Sequence, residues 1–141
     1  MARGRGRTED CNLSEARKRL EHARLYLDVA DLTGGTNDPD LEYGPVAGSI
    51  AILAGIAAAD AACCAALGHR SRSDNHQDAA GLLSQIEPGG REAARAMRRL
   101  IALKDSAHYG FLSLGSRELK QATRQAAALT EFAERVLLRS D

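Results

Sequence analysis

Residues Val46–Leu67, VAGSIAILAGIAAADAACCAAL, decide the fold. Asp60 is the one charge in this stretch, and apolar side chains fall on nearly every side of a helix instead of forming one stripe. A helix without a polar face belongs at the centre of a bundle, or at a bundle and a dimer seam together. Ala51, Gly55, Ala59 and Cys63 recur at every fourth position, a row of small residues on which another helix backbone can approach closely. The same length could cross a membrane. However, Ala and Gly gain little on insertion, and a central Asp costs roughly 2.5–3.5 kcal/mol. Aromatic and basic anchors are also missing at its ends, so the expectation is a buried helix and no membrane.

Helical patterns flank this stretch on both sides. Upstream, Asn12 followed by Glu15 forms a capping box, and Ala16, Leu20, Ala23, Leu27 and Ala30 make one stripe of a helix over 13–32. Gly34 and Gly35 stop it, and a turn-rich loop follows to Pro45. Downstream, His69–Ser73 forms a basic connector, and Ser73 or Asp74 can cap a short helix through Ile86. Glu87-Pro88-Gly89-Gly90 is a firm break before a helix over 91–108, and Ser116 can cap a last helix to about Leu138. No strand pattern is evident. Residues 1–12 read as a flexible basic tail and 13–141 as one all-α bundle of about five helices.

Composition narrows the function. At 141 residues the chain can bury a core of its own. Its 19 cations and 19 carboxylates cancel, so an attraction for polyanions must come from a local patch. Three cysteines without zinc-like spacing, two of them adjacent and pointing apart on a helix, read as small residues buried in a reducing cytoplasm. His69, His76 and His108 lack metal-ligand spacing. Phosphate-loop and serine-nucleophile signatures are absent too, so neither a metal nor a cofactor is expected.

Chemistry-bearing residues gather in three places. Asp60 needs a cation or a donor, either as a buried link to an Arg or the 69–72 connector, or as a carboxylate facing a cleft. Arg70, Arg72 and His76 lie in a connector that suits phosphate binding and a solvated turn equally. Arg91, Arg95, Arg98 and Arg99 form a basic stripe that leads to Leu103–Gly110, LKDSAHYG. There Lys104 and His108 share a helical face and could hold a phosphate and exchange a proton, with Asp105 and Tyr109 beside them. The same residues also suit a plain polar helix end, where the dipole favours cations.

The chain resembles the HEPN superfamily of small all-α, nucleotide-binding-type proteins. The resemblance runs through AGIAAADAACCAALG at 54–68, the Arg70-Ser71-Arg72 turn with His76, and LKDSAHYG at 103–110, and it covers nearly all of the chain after the tail. It implies a homodimer in which two motifs meet in a cleft, and an RNA or nucleotide ligand. It also implies a toxin–antitoxin or defence setting, with a nucleotidyltransferase-type antitoxin as a possible partner. The family's motif is an Arg, usually followed by a polar residue, with a His four to six residues on. In this chain Lys104 holds the Arg position and His108 follows after three intervening residues. Lysine lacks arginine's bidentate fork, so the resemblance points to binding with weak or no catalysis. The alternative is a metal-independent endoribonuclease that uses Lys104 and His108.

Overall fold

The computed structural model describes residues 7–36, 43–72, 75–109 and 116–140, with the side chains of 105–109 and 116 outside the description. Five helices account for most of it: α1 (Leu13–Gly34), α2 (Tyr43–Leu67), α3 (His76–Leu83), α4 (Gly90–Tyr109) and α5 (Ser116–Ser140). Two short strands, β1 (Thr8–Asp10) and β2 (His69–Ser71), complete it. The all-α bundle expected from the periodicity is the fold.

Helix α1 starts where its capping box lies. The Asn12 side chain accepts the Glu15 N–H at 2.8 Å, and the Asn12 N–H donates back to the Glu15 carboxylate at 3.2 Å. Its buried face is Ala16, Leu20, Ala23 and Ala30, with Leu27 packed alongside. Helix α2 begins three residues earlier than its apolar run, because Pro45 is tolerated in a first turn where its missing N–H has no helical partner. From there α2 passes through the middle of the bundle, packed against α1, α5, α4 and α3. Its buried row from Ala47 to Cys64 is interrupted at few positions, with Val46 and Leu53 left exposed. By length and composition α2 could span a bilayer, but in this fold most of its surface lies inside the bundle. At Gly55 the small-residue row meets its neighbours: a Cβ there would collide with Leu100 of α4 and press on Leu129 of α5.

Helix α3 is shorter than expected at both ends. Its N-cap is Asn75, whose side chain accepts the Gln77 N–H at 3.0 Å. The cap position read at Ser73 or Asp74 lies outside the described residues. At the other end the helix gives way to turns. Ser84 Oγ donates to the Gly81 carbonyl at 2.6 Å, and Gln85 and Ile86 N–H groups reach back only three residues, to Leu82 and Leu83. Gly89 then adopts φ +95, and the Gly90 N–H donates to the Ile86 carbonyl at 2.9 Å. This brings the start of α4 tight against the end of α3.

The sheet was not legible in the sequence. β1 and β2 run antiparallel with Thr8 opposite Ser71, Glu9 opposite Arg70 and Asp10 opposite His69. The expected tail therefore carries structure from Thr8 onward. It is also fixed covalently, since Cys11 and Cys64 form a disulfide with a Cα–Cα distance of 5.3 Å across 53 residues of sequence. This corrects the reading of three reduced cysteines. The Cys11 N–H donates to the Gly68 carbonyl at 2.9 Å, which draws Cys11 over the last turns of α2, where Cys64 emerges. Cys63 alone stays a buried free thiol.

Three stability measurements by urea denaturation follow from this packing. Gly90→Ala places a methyl group against the Leu83 carbonyl oxygen and should cost about 1–3 kcal/mol. Gly81→Ala, which meets open space within a helix, should stabilise by about 0.5–1 kcal/mol. Reducing the Cys11–Cys64 bond should lower stability by about 2–4 kcal/mol, because it releases a long closed loop in the unfolded chain.

Candidate functional site

Asp60 is 8 % exposed, in the most apolar helix of the chain, and a bare carboxylate there would be costly. It is not bare. Arg19, one position to the side of the α1 stripe, reaches across so that its Nη2 donates to Asp60 Oδ2 at 3.0 Å. Arg70 on β2 brings Nη1 to 3.7 Å from the same oxygen. Burial is the stronger influence and raises the Asp60 pKa above its ordinary value, while Arg19, Arg70 and His76 pull it down. Cys63 lies on the same helix, and its thiol is pushed up to about 12, first by burial and then by the Asp60 charge.

The cluster continues outward through Glu9 on β1. Glu9 Oε2 lies 3.1 Å from Arg70 Nη2 and 3.6 Å from Arg72 Nε, so one carboxylate oxygen faces two guanidinium groups. Of the residues expected to bind, Asp60, Arg70 and Arg72 thus meet in one chain of charges, and His76 is near enough for its charge to act on Asp60. Sequence reasoning missed Arg19 and Glu9. Arg19 had a usable signal, as a cation on the flank of an apolar stripe in a chain whose most apolar helix holds one carboxylate. Glu9 had a weaker one, the opposite charges of Glu9-Asp10 and His69-Arg70.

A second charged surface lies on α4. Arg91, Arg95, Arg98 and Arg99 are all exposed, at the i, i+4, i+7 and i+8 spacing of one helical face. None of the four makes an ion pair among the described residues. A shallow hollow of about 420 Å³ opens at the start of this face, lined by Glu87, Gly89, Arg91, Glu92 and Arg95. Helix α5 packs beside α4 and adds exposed Arg117, Lys120 and Arg124. α4 carries five cations against two carboxylates and α5 five against three, within a chain that nets zero. The basic surface is therefore local, as the overall charge balance required.

Lys104 is half-buried on α4 and shares no ion pair or hydrogen bond with the Asp60 cluster among the described residues. The backbone of Asp105, His108 and Tyr109 continues α4, which keeps Lys104 and His108 four apart on one helix. Their side chains lie outside the described residues. Among the described residues, no three His, Cys, Asp or Glu side chains gather as they would around a metal ion. No family model, curated protein or solved structure matches the chain.

The Asp60 pair can be tested by its pH dependence. Arg19→Ala removes the nearest cation and raises the folded-state pKa of Asp60 further. An acid with a raised folded pKa loses stability as pH climbs above its unfolded value of 3.8, because the folded state then holds a proton that the unfolded chain releases. The variant should therefore be destabilised by about 1–3 kcal/mol near neutral pH and by less at pH 4. Equal losses at both pH values would show that the Asp60 contact is not the cause.

Proposed function

We propose that the chain is an RNA-binding, HEPN-like helical protein that holds RNA along the arginine face of α4 and does little or no cutting. The observation that carries this reading is the set of four exposed arginines on one face without carboxylate partners among the described residues. Surface arginines on helices commonly pair with acidic neighbours three or four residues away. Here Glu92 is the one described acidic neighbour on the helix, and the guanidinium forks remain open to phosphate oxygens. The chain has no net charge, so this attraction comes from the local cluster and not from the protein's overall field.

Catalysis is the weaker part of the resemblance. Lys104 stands where the family has Arg, and an ammonium group cannot clamp a phosphate through two parallel hydrogen bonds. The homodimer and the toxin–antitoxin or defence setting, with its nucleotidyltransferase-type partner, belong to the same proposal and rest on the family resemblance. Exposed Leu25, Val29 and Leu32 on α1, with Val46 and Leu53 on α2, leave apolar surface available to a second copy.

Fluorescence anisotropy with a labelled single-stranded RNA tests the proposal. Binding should weaken steeply with salt, at a log–log slope of about −0.7 per phosphate neutralised. Arg95→Gln with Arg99→Gln should weaken it for every sequence alike and flatten the slope by about 1–2. Binding that is absent at low salt, or indifferent to these arginines, would refute the reading. Gel analysis of the same mixtures should show intact RNA. Cleavage that disappears in Lys104→Ala and His108→Ala would instead identify a metal-independent endoribonuclease.

A further inference from the structure

Arg70 lies on β2, and Arg72 follows directly after the strand's last residue, Ser71. Between them lies a single oxygen, Glu9 Oε2, at 3.1 and 3.6 Å. Two guanidinium groups converging on one anionic oxygen form the arrangement that recognises phosphate. Arg70 also has a second carboxylate, Asp60, with Oδ2 3.7 Å from its Nη1. We propose that Arg70 and Arg72 form a phosphate-binding site that the chain's own Glu9 occupies, and that the Cys11–Cys64 disulfide holds this internal ligand in place.

The ion pairs themselves are weak fasteners. Glu9 and Arg72 are about half exposed and Arg70 one-third exposed, and solvent screens pairs of this kind so that they contribute little. A more highly charged phosphate would displace Glu9 if the chain allowed it to leave. What keeps it there is the backbone. The ladder pairs Glu9 with Arg70, the Arg72 N–H donates to the Arg7 carbonyl at 2.8 Å, and the Cys11 N–H donates to Gly68 at 2.9 Å. The disulfide sits two residues after Glu9 and anchors this whole edge to α2. Cutting that bond leaves a three-residue strand, too short to persist alone.

Release requires a dithiol reductant. Its thiolate attacks Sγ of half-buried Cys11, forming a mixed disulfide and expelling Cys64 as a thiolate that takes up a proton. The reductant's second thiolate then attacks its own bonded sulfur, frees Cys11 as a thiol and leaves the reductant as a disulfide. Cys63 does not compete, since it is buried and holds its proton to about pH 12.

The site uses none of the α4 arginines and is independent of the RNA-binding reading. Calorimetric titration of the full chain with inorganic pyrophosphate at fixed ionic strength tests it. Oxidised protein should bind weakly. Glu9→Gln in the oxidised protein, and wild type treated with dithiothreitol, should each bind at least about fivefold more tightly. Adding Arg72→Gln to Glu9→Gln should abolish the gain, while Arg95→Gln with Arg99→Gln should leave it intact. Unchanged affinity in Glu9→Gln, or a gain that survives the loss of Arg72, overturns the site. A Glu9→Gln gain without any gain on reduction, in protein whose circular dichroism remains helical, overturns the disulfide's part in it.

Discussion

A helix with no polar face must be covered on all sides, and the arrangement of this protein follows from covering α2. Four other helices pack against it, and α1 and α5 take the largest share. The close approach at Gly55 lets α4 and α5 reach it together through Leu100 and Leu129. Burial of this kind is the main favourable term in folding, and here it is concentrated on one element. The other helices can then present charged outer faces, which is where any chemistry with a large ligand has to occur.

The exception on α2 organises the rest. Asp60 enters the apolar environment and draws in Arg19 from α1 and Arg70 from β2, while Glu9 extends the line of charges to the surface. Buried ionic contacts of this type are weak sources of stability, since desolvation offsets most of the attraction. Their stronger effect is on specificity. Asp60 can be satisfied only if α1 and β2 arrive at the right height along α2, so a misregistered packing would leave a carboxylate without a partner. The buried side chains of the described residues are all satisfied, in keeping with that role.

What could be read from the sequence was what local pattern encodes. The Asn12–Glu15 capping box, the α1 stripe, the all-round apolarity of α2 and the break at Glu87–Gly90 each involve residues a few positions apart, and each corresponds to an observed feature. The features that escaped involve distant partners. Thr8–Asp10 and His69–Ser71 are polar triplets too short to show alternation, and they become strands only because they lie side by side. The disulfide joins Cys11 to Cys64 across 53 residues, and the two meet only because the β1–β2 ladder and the Cys11 N–H to Gly68 hydrogen bond bring Cys11 to the end of α2. The need of Asp60 for a cation followed from desolvation alone, but the identity of Arg19 depended on how two helices cross. For Lys104–Tyr109, helical spacing was legible, and the side chains of 105–109 lie outside what the structure describes.

The interior of α2 is mostly alanine: Ala47, Ala51, Ala54, Ala57, Ala58, Ala59, Ala61 and Ala62 are all buried. Alanine has no rotamers to lose, so ordering these side chains carries almost none of the entropy penalty that a leucine- or methionine-filled core incurs. The driving force per residue is smaller as well, and the two effects partly offset each other. Such a core is vulnerable in an uncommon direction. Few of its α2 positions hold a large side chain whose truncation would open a cavity, whereas an added methyl group meets packed neighbours, as a Cβ at Gly55 would meet Leu100 and Leu129. Sequence drift along α2 is therefore restricted by the distance between helices more than by hydrophobicity, and the tolerated substitutions there should be the ones that leave that distance unchanged.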